Sequence, residues 1–335
     1  MSEFTQKVKR QTFIKPLIFF FLIGFFVKYL WSSFDAIFLE ILETSIWLVL
    51  AVLFLGIAYQ FVEGKMVKTT VRITDKPFRS VEGMMASCYA AFYRVVTFGA
   101  GTWIAEINFY HRKNLTVSEG VGVSIFRFML FKTSAAFLAI LFLIMEMGLF
   151  SQRIIWVVII CIAINLAING VILLAALSMP LQILFVTICN RWIKQAAWRD
   201  KVDQVNTQIN ALRTMIHDLM HKKRLLVEML FWGITKALIW FIIPYICLRP
   251  DYPDFNFFVS LALISFVTVI SGVVPTPGGV GSFEVSYMLL FSPYVGKIDA
   301  ASSLLLYRFA TFILPFLIGG IYVFVSRKKR LKINR

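Results

Sequence analysis

Long apolar runs recur along the whole chain and constrain its fold more than any other feature. A helix needs about 20 apolar residues to cross the hydrocarbon core of a membrane. Because 59% of the 335 residues are hydrophobic and only 16% are charged, we exclude a soluble globular protein. The sequence predicts an all-α, polytopic integral membrane protein, a single membrane domain over 1–335 with about six to eight transmembrane helices. The clearest candidate spans are 15–31, 45–63, 123–147, 154–178, 228–248 and 303–325.

The net charge of +16 is distributed in a way that predicts topology. Lys and Arg are concentrated before the first span, in 64–82, in 179–227 and after residue 325, whereas 32–44 contains neither. This is the positive-inside pattern, so we expect a multi-pass protein of the cell membrane with cytoplasmic N- and C-termini. The charge is better explained by topology and attraction to anionic headgroups than by nucleic acid, and no nucleic-acid partner is expected.

Two pairs of short apolar runs are interrupted by glycine-rich breaks. The first break separates 84–97 from 102–110, and the second separates 256–274 from 282–294. If the first pair enters the membrane and returns, every strongly basic segment lies on one side. The second pair is either two crossings or a re-entrant hairpin, and charge does not separate these. Because irregular backbone at membrane depth is tolerated where it lines a cavity, we expect both breaks to face an interior pocket.

The loop 179–227 contains an amphipathic helix, since apolar residues recur at steps of three and four. We favour a position on the cytoplasmic surface. Two alternatives remain open: the helix pairs with a second copy in a homodimer, or it extends the following span. The apolar positions are Val202, Val205, Ile209, Leu212, Ile216 and Leu219.

The two breaks are similar in sequence. "TFGAGTWIAE" runs from Thr97 to Glu106 and "TPGGVGSFE" from Thr276 to Glu284, and each precedes an apolar span with an arginine. We therefore predict two broken-helix units, 84–147 and 256–325, in an inverted repeat, a recurrent plan in transporters. Chance similarity between two glycine-rich breaks is the alternative. The break positions are Thr97, Gly99, Gly101, Pro275, Thr276, Pro277, Gly278, Gly279 and Gly281.

Several cations fall deep within apolar segments. Inserting the charge of Arg94, Arg127 or Arg308 into the membrane would cost about 2.5–3.5 kcal/mol each, unless the charge is paired or hydrated. Glu106 and Glu284 are the predicted partners of Arg127 and Arg308. Two interpretations remain open: the pairs pin the helices together, or the arginines also hold an anionic headgroup in a cavity, helped by free backbone N–H groups of the breaks. Lys132 and Lys236 raise the same question.

No constellation of catalytic or metal-binding residues is apparent. His217 and His221 are spaced by four residues around Asp218, but no third ligand lies nearby in a basic loop, so solvated surface histidines are the better interpretation. There is no phosphate-binding loop and no nucleophile elbow. We predict no cofactor and no metal.

"PTPGGVGSFE" (Pro275 to Glu284) and "LYRFATFILPFLIGG" (Leu306 to Gly320) resemble the membrane domain of lysylphosphatidylglycerol synthases. The resemblance covers essentially the whole chain in helix layout, but the first break lacks the proline and glutamine positions typical of stand-alone relatives. In two-part members this region is associated with moving aminoacylated phosphatidylglycerol between leaflets, and a separate C-terminal domain transfers the amino acid. The chain ends soon after its last predicted span, so the resemblance implies the flippase part without the synthase part. It supports Pro275, Thr276, Pro277, Gly278, Gly279, Gly281, Glu284, Tyr307, Arg308 and Pro315.

The expected function is that of a flippase or transporter for anionic or aminoacylated phospholipids of the phosphatidylglycerol type. Arg127 and Arg308 would hold the headgroup phosphate, while Glu106 and Glu284 would balance the arginines and attract a cationic headgroup. The lipid-binding candidates also include Tyr307, Lys132 and Lys236. Two alternatives remain: a non-transporting lipid-binding membrane subunit, and an enzyme that forms lysylphosphatidylglycerol.

Overall fold

The computed structural model describes residues 44–192, 196–274, 276 and 280–333. Within these residues the regular elements are helices and no strand occurs, which confirms the all-α fold. The predicted first span, 15–31, lies outside the described residues, as do Pro275, Pro277, Gly278 and Gly279.

The helices alternate between long spans and shorter pieces. Five are long and apolar enough to cross a membrane: Ile46–Thr74, Val117–Met145, Gln152–Leu174, Lys223–Leu248 and Lys297–Ser326. They correspond to five of the predicted spans, so a polytopic membrane protein is confirmed. In chain order the helices are α1 (Ile46–Val71), α2 (Ser80–Val96), α3 (Thr102–His111), α4 (Val117–Met145), α5 (Gln152–Leu177), α6 (Met179–Trp192), α7 (Ala196–Met220), α8 (Lys223–Leu248), α9 (Phe257–Val273), α10 (Ser282–Val295), α11 (Lys297–Arg308) and α12 (Leu314–Ile333).

Helices α2 and α3 form a first hairpin around the first break. They contain 17 and 10 residues, about 25 and 15 Å at 1.5 Å per residue, and the hydrocarbon core is about 30 Å thick. An ion pair of 2.7 Å between Lys113 Nζ and Glu82 Oε1 joins the open ends of the hairpin. The chain therefore leaves this hairpin near where it entered, as the charge pattern predicts.

Helices α9 and α10 form a second hairpin around the second break. They contain 17 and 14 residues, so neither reaches across the core at 1.5 Å per residue. Their open ends are joined through Tyr252, whose hydroxyl oxygen lies 2.6 Å from the Val295 carbonyl oxygen and also contacts the Asp299 carboxylate. These lengths favour a re-entrant hairpin over two full crossings.

Glycine allows the first hairpin to pack closely against helices on both sides. A Cβ on Gly64 of α1 would lie 2.2 Å from the Ser80 carbonyl oxygen, and one on Gly83 would lie 2.6 Å from the Gly64 oxygen. On the other side, a Cβ on Gly319 of α12 would lie 2.0 Å from the Cys88 oxygen. Helix α2 is thus held between α1 and α12.

The second hairpin packs against the helices that follow the first. The Asn165 side chain on α5 donates to the Val269 carbonyl at 3.0 Å, and the Phe150 ring lies 5.1 Å from the Phe266 ring. Each hairpin therefore rests on spans from the other half of the chain: the first on α12, the second on α4 and α5.

Helix α7 is the amphipathic helix predicted in the middle loop. Leu212, Ile216 and Leu219 are buried, whereas Val205 is 39% exposed. A Cβ on Gly122 of α4 would lie 2.5 Å from the Met215 sulfur, so the buried face packs against the start of α4. The position of α7 relative to the membrane surface stays a prediction.

Candidate functional site

Arg127 on α4 lies between two buried carboxylates. Its Nη2 is 2.7 Å from Glu106 Oε2 on α3, which is the predicted partner. Its Nη1 is 2.5 Å from Glu63 Oε1 on α1, which was not predicted. The two carboxylates occupy both terminal nitrogens of the guanidinium group.

Lys236 and Tyr110 complete this cluster. Lys236 Nζ on α8 lies 2.5 Å from Glu63 Oε2, and the Tyr110 hydroxyl donates to Glu106 Oε1 at 2.8 Å. Glu63, Glu106 and Lys236 are all at most 5% exposed. The cluster contains two cations and two anions from α1, α3, α4 and α8, and we call Glu63, Glu106, Tyr110, Arg127 and Lys236 the first charge cluster.

Arg308 and Glu284 form the corresponding pair in the second half, as predicted. Arg308 Nη2 on α11 is 2.6 Å from Glu284 Oε1 on α10. Glu284 Oε2 also accepts the backbone N–H of Gly281 at 2.5 Å, so this carboxylate caps its own helix. The Arg308 guanidinium group lies 4.3 Å from the centre of the Phe283 ring, a cation–π contact.

Aromatic rings connect the two charged groups. Tyr307, which is fully buried, stacks on Phe283 at 5.2 Å and on Trp240 at 6.0 Å between ring centres. Trp240 in turn lies 5.1 Å from Tyr59, the ring that Lys236 faces at 5.4 Å. Tyr307 thus lies between Arg308 and the first charge cluster.

Three buried groups near these rings lack a hydrogen-bond partner within the described residues: the Tyr307 hydroxyl, Trp240 Nε1 and Arg94 Nε. Arg94 lies over the Phe312 ring, 5.2 Å from its centre, and contacts no carboxylate in the described part of the chain. Buried donors are almost always satisfied in native proteins. These three neighbouring donors therefore have no acceptor among the described residues.

Lys132 is a second cation without a carboxylate among the described residues. Its Nζ donates to Asn165 Oδ1 at 2.8 Å and to the Gly272 carbonyl at 2.7 Å. Gly272 lies in the last turn of α9, so Lys132 neutralises the negative end of that helix beside the second break. Arg94 therefore adds positive charge near Arg127 and Arg308, and Lys132 adds a cation beside the second break.

The first break differs from its prediction. The N–H groups of Gly99 and Ala100 bond to the Arg94 and Thr97 carbonyls, and the Gly101 N–H bonds to Thr97 Oγ1 at 2.7 Å. The expected free N–H groups at these positions are thus absent, because the turn satisfies itself. The turn also lies at the surface of the described residues, with Phe98 52% exposed, and does not line an interior pocket there.

The second break is described only in part. Gly281 has φ of 102°, a conformation that favours glycine. The Thr276 and Ser282 hydroxyls are 3.1 Å apart, which bridges the break from one side to the other.

Two cavities in the described part of the chain lie away from the arginines. One of about 480 Å³ is lined by α4, by α7 and by the segments that follow α1 and α7, including Asp75, Glu119 and Lys222. The other, of about 520 Å³, is lined by Arg224, Val227, Glu228 and Phe231. Neither is lined by Arg127 or Arg308, and in this conformation Glu63, Glu106 and Glu284 hold the two arginines.

Sequence reasoning missed Glu63 and Asn165. Glu63 was placed at the end of the span 45–63, but α1 continues to Val71 and buries it. Gln60, three residues earlier and also buried, was the signal that a polar face continued along this helix. Asn165 was visible as a lone amide within the apolar span 154–178.

Comparisons with known proteins give one result. No curated protein and no solved structure matches the chain. The family model described as the lysylphosphatidylglycerol synthase TM region matches residues 12–319, which is most of the 335 residues. The match agrees with the resemblance seen in the motif around the second break and in the span that contains Arg308. The chain therefore belongs to the family of the lysylphosphatidylglycerol synthase transmembrane region.

Proposed function

We propose that this protein binds the phosphate of an anionic or aminoacylated phospholipid, of the phosphatidylglycerol type, between Arg127 and Arg308, and moves the lipid between leaflets. The observation that carries the proposal is the surplus of positive charge and unpaired donors in this region. Arg94 and Lys132 have no carboxylate among the described residues, and the Tyr307 hydroxyl and Trp240 Nε1 lack partners there.

A phosphate group has the chemistry that this surplus requires. Its oxygens accept several hydrogen bonds at once, and a guanidinium group matches them with two parallel N–H donors. An anion would also offset the unfavourable free energy of Arg94 and Lys132 in a low-dielectric interior. A cationic ligand would raise that free energy further, so the surplus favours an anion.

The carboxylates have a role in the same scheme. In the resting state Glu106 and Glu284 hold Arg127 and Arg308. When a phosphate takes over an arginine, the released carboxylate is available to the ammonium group of an aminoacylated headgroup. The pinning contacts of the resting state and the headgroup contacts of the loaded state then alternate.

The broken helices supply points at which the two halves can move. Gly281 precedes α10 in a glycine-favoured conformation, and a five-residue π-helical segment, Phe309–Ile313, separates Arg308 from α12. Single π-turns are frequent at functional sites. Movement of the hairpins around these points would expose the arginines to one leaflet and then the other.

Reconstitution into liposomes tests the proposal. With labelled phosphatidylglycerol, we expect the wild type to accelerate exchange between leaflets and Arg308→Ala to lose at least about tenfold of that rate, since one bidentate phosphate contact is removed. Arg72→Ala is the matched control, because Arg72 forms an ion pair with Glu228 at the protein surface. An absence of exchange by the wild type under every lipid and ion condition would refute transport.

A lipid-binding subunit that does not transport is the second candidate. It is favoured by the position of the two cavities, which avoid the arginines. Binding of phosphatidylglycerol that Arg308→Ala abolishes, together with no leaflet exchange, would select this function.

A further inference from the structure

Among the described residues, Glu106 contacts a single cation, Arg127. Its Oε2 contacts Arg127 at 2.7 Å, and its Oε1 accepts a hydrogen bond from the Tyr110 hydroxyl at 2.8 Å. Glu63 contacts two cations instead, Arg127 and Lys236, each at 2.5 Å. If Arg127 turns toward a ligand, Glu63 keeps Lys236 as a contacting cation, whereas Glu106 keeps none among the described residues.

The other groups around α3 do not replace Arg127. Lys236 is held by Glu63, and the Arg94 guanidinium group lies over the Phe312 ring. Helices α2 and α12 present phenol rings to Phe109 rather than cations. Among the described residues, the charged or titratable groups around this part of the molecule include Tyr59, Glu63, Tyr89, Tyr93, Arg94, Arg112, Arg127, Lys236 and Tyr322.

Glu106 is 2% exposed, so water cannot stabilise its charge once Arg127 has left. A buried carboxylate without a counter-ion is neutralised rather than left charged. We propose that binding of a phosphate headgroup by Arg127 is coupled to uptake of one proton by the Glu106 carboxylate, so that a proton travels with the lipid. The inference rests on the proposed function.

The step is balanced and local. The carboxylate takes one proton from solvent and becomes a carboxylic acid, and no other covalent bond changes. The Tyr110 hydroxyl remains in place as its hydrogen-bond partner, because a hydroxyl can donate or accept. The incoming phosphate charge is thus accompanied by the loss of one carboxylate charge in the first charge cluster.

The second half of the molecule should not take part. Glu284 Oε2 accepts the backbone N–H of Gly281 at the start of α10. A carboxylate at a helix N-terminus is stabilised by backbone donors and by the helix dipole, so Glu284 keeps a stabilising partner when Arg308 turns away. Proton coupling is assigned to the first hairpin alone.

The purified full chain in detergent is titrated with dioctanoyl phosphatidylglycerol, and calorimetry measures the binding affinity at each pH. As the pH is raised through the range of the titration, we expect the wild-type affinity to fall by up to about tenfold per pH unit, as uptake of one proton requires. A pH-indicator dye in weak buffer should record up to about one proton taken up per bound lipid. Glu106→Gln should abolish both effects, and Glu106→Asp should retain them.

Glu82→Gln is the matched control on the same hairpin. Burial alone would raise the pKa of Glu82, but the hydrogen bonds from Lys113 and from the Arg79 backbone N–H, together with the charges of these two residues, outweigh burial and hold that pKa below its ordinary value. Glu82 therefore stays ionised across the range, and its replacement should leave the pH slope intact. Dioctanoylglycerol, which lacks the phosphate, should cause no proton uptake.

The outcomes separate the two proposals. Lipid binding by the wild type that is independent of pH would overturn the coupling and leave the lipid site standing. No binding at any pH would overturn the proposed function itself. Equal proton uptake with inorganic phosphate would assign the site to free phosphate and overturn the lipid coupling. If Glu106→Gln elutes as an aggregate in gel filtration, the proton count on the wild type decides alone.

Discussion

Arg127 holds two buried carboxylates at once, and its charge is what allows both of them to stay in the interior. Glu63 and Glu106 are 1% and 2% exposed. Removing one partner from a buried ion pair is much more destabilising than removing both, because the remaining charge is left uncompensated. Lys236 contacts Glu63 and not Glu106. Loss of Arg127 would therefore leave the Glu106 charge without a contacting cation among the described residues.

Arg127→Gln should therefore destabilise the protein by about 3–5 kcal/mol, the range measured for breaking a buried pair. Arg72→Gln removes an ion pair whose side chains are 49% and 36% exposed, and should change stability by about 0–1 kcal/mol. Thermal unfolding of both variants in the same detergent measures the difference. Equal midpoints would mean that the first charge cluster is accessible to water.

At the scale of elements, glycine sets the distance between the first hairpin and its neighbours. Transmembrane helices associate closely where small residues allow their backbones to approach. Gly319 does this where α12 crosses α2, opposite the Cys88 carbonyl. Gly170 on α5 is different, because a Cβ there would meet nothing within 4 Å.

The pair Gly319→Ala and Gly170→Ala separates packing from helix propensity. Gly319→Ala should lower stability by about 1–3 kcal/mol, since the added methyl group forces α2 and α12 apart. Gly170→Ala should be neutral or stabilising by up to about 1 kcal/mol, because alanine is the better helix former. Unfolding midpoints in detergent measure both. A stabilising Gly319→Ala would show that the two helices are not in close contact.

At the scale of the whole molecule, the ends of the helices collect on two faces. Lys222 at the start of α8 bonds to the Ile73 carbonyl and to Asp75 after α1. This places the ends of α1 and α7 and the start of α8 on one face. The loop between α8 and α9 meets the end of α10 and the start of α11 on the other face, where Tyr252 bonds to Val295 and Asp299. The first face carries the basic segments 64–82 and 179–227.

Labelling with a membrane-impermeant maleimide tests which face is cytoplasmic. In a variant whose four cysteines are replaced by serine, Asp254→Cys should react from outside intact cells, and Arg79→Cys should react only after the cells are opened, because basic segments stay inside. Both positions lie outside the described membrane spans. The reverse pattern would invert the topology.

The sequence by itself determined the membrane-protein class, the five described spans, the two short helix pairs and the pairings of Arg127 with Glu106 and Arg308 with Glu284. These depend on the lengths of apolar runs, on local helix breakers and on the high free energy of an unpaired charge in the membrane. The spans and the breaks are properties of single segments. The two pairings follow because each arginine and its glutamate lie in the same predicted broken-helix unit.

The tertiary structure alone decided that Glu63 and Lys236 join the first charge cluster, that the first break satisfies its own N–H groups, and that each hairpin rests on spans of the other half. The contacts of Glu63 with Arg127 and Lys236 depend on how α1, α4 and α8 cross, which brings residues far apart in sequence into one interior. The sequence placed Glu63 at the end of a span because a carboxylate interrupts the apolar run there. Its partners, Arg127 and Lys236, lie on other helices, so the sequence around Glu63 does not reveal them.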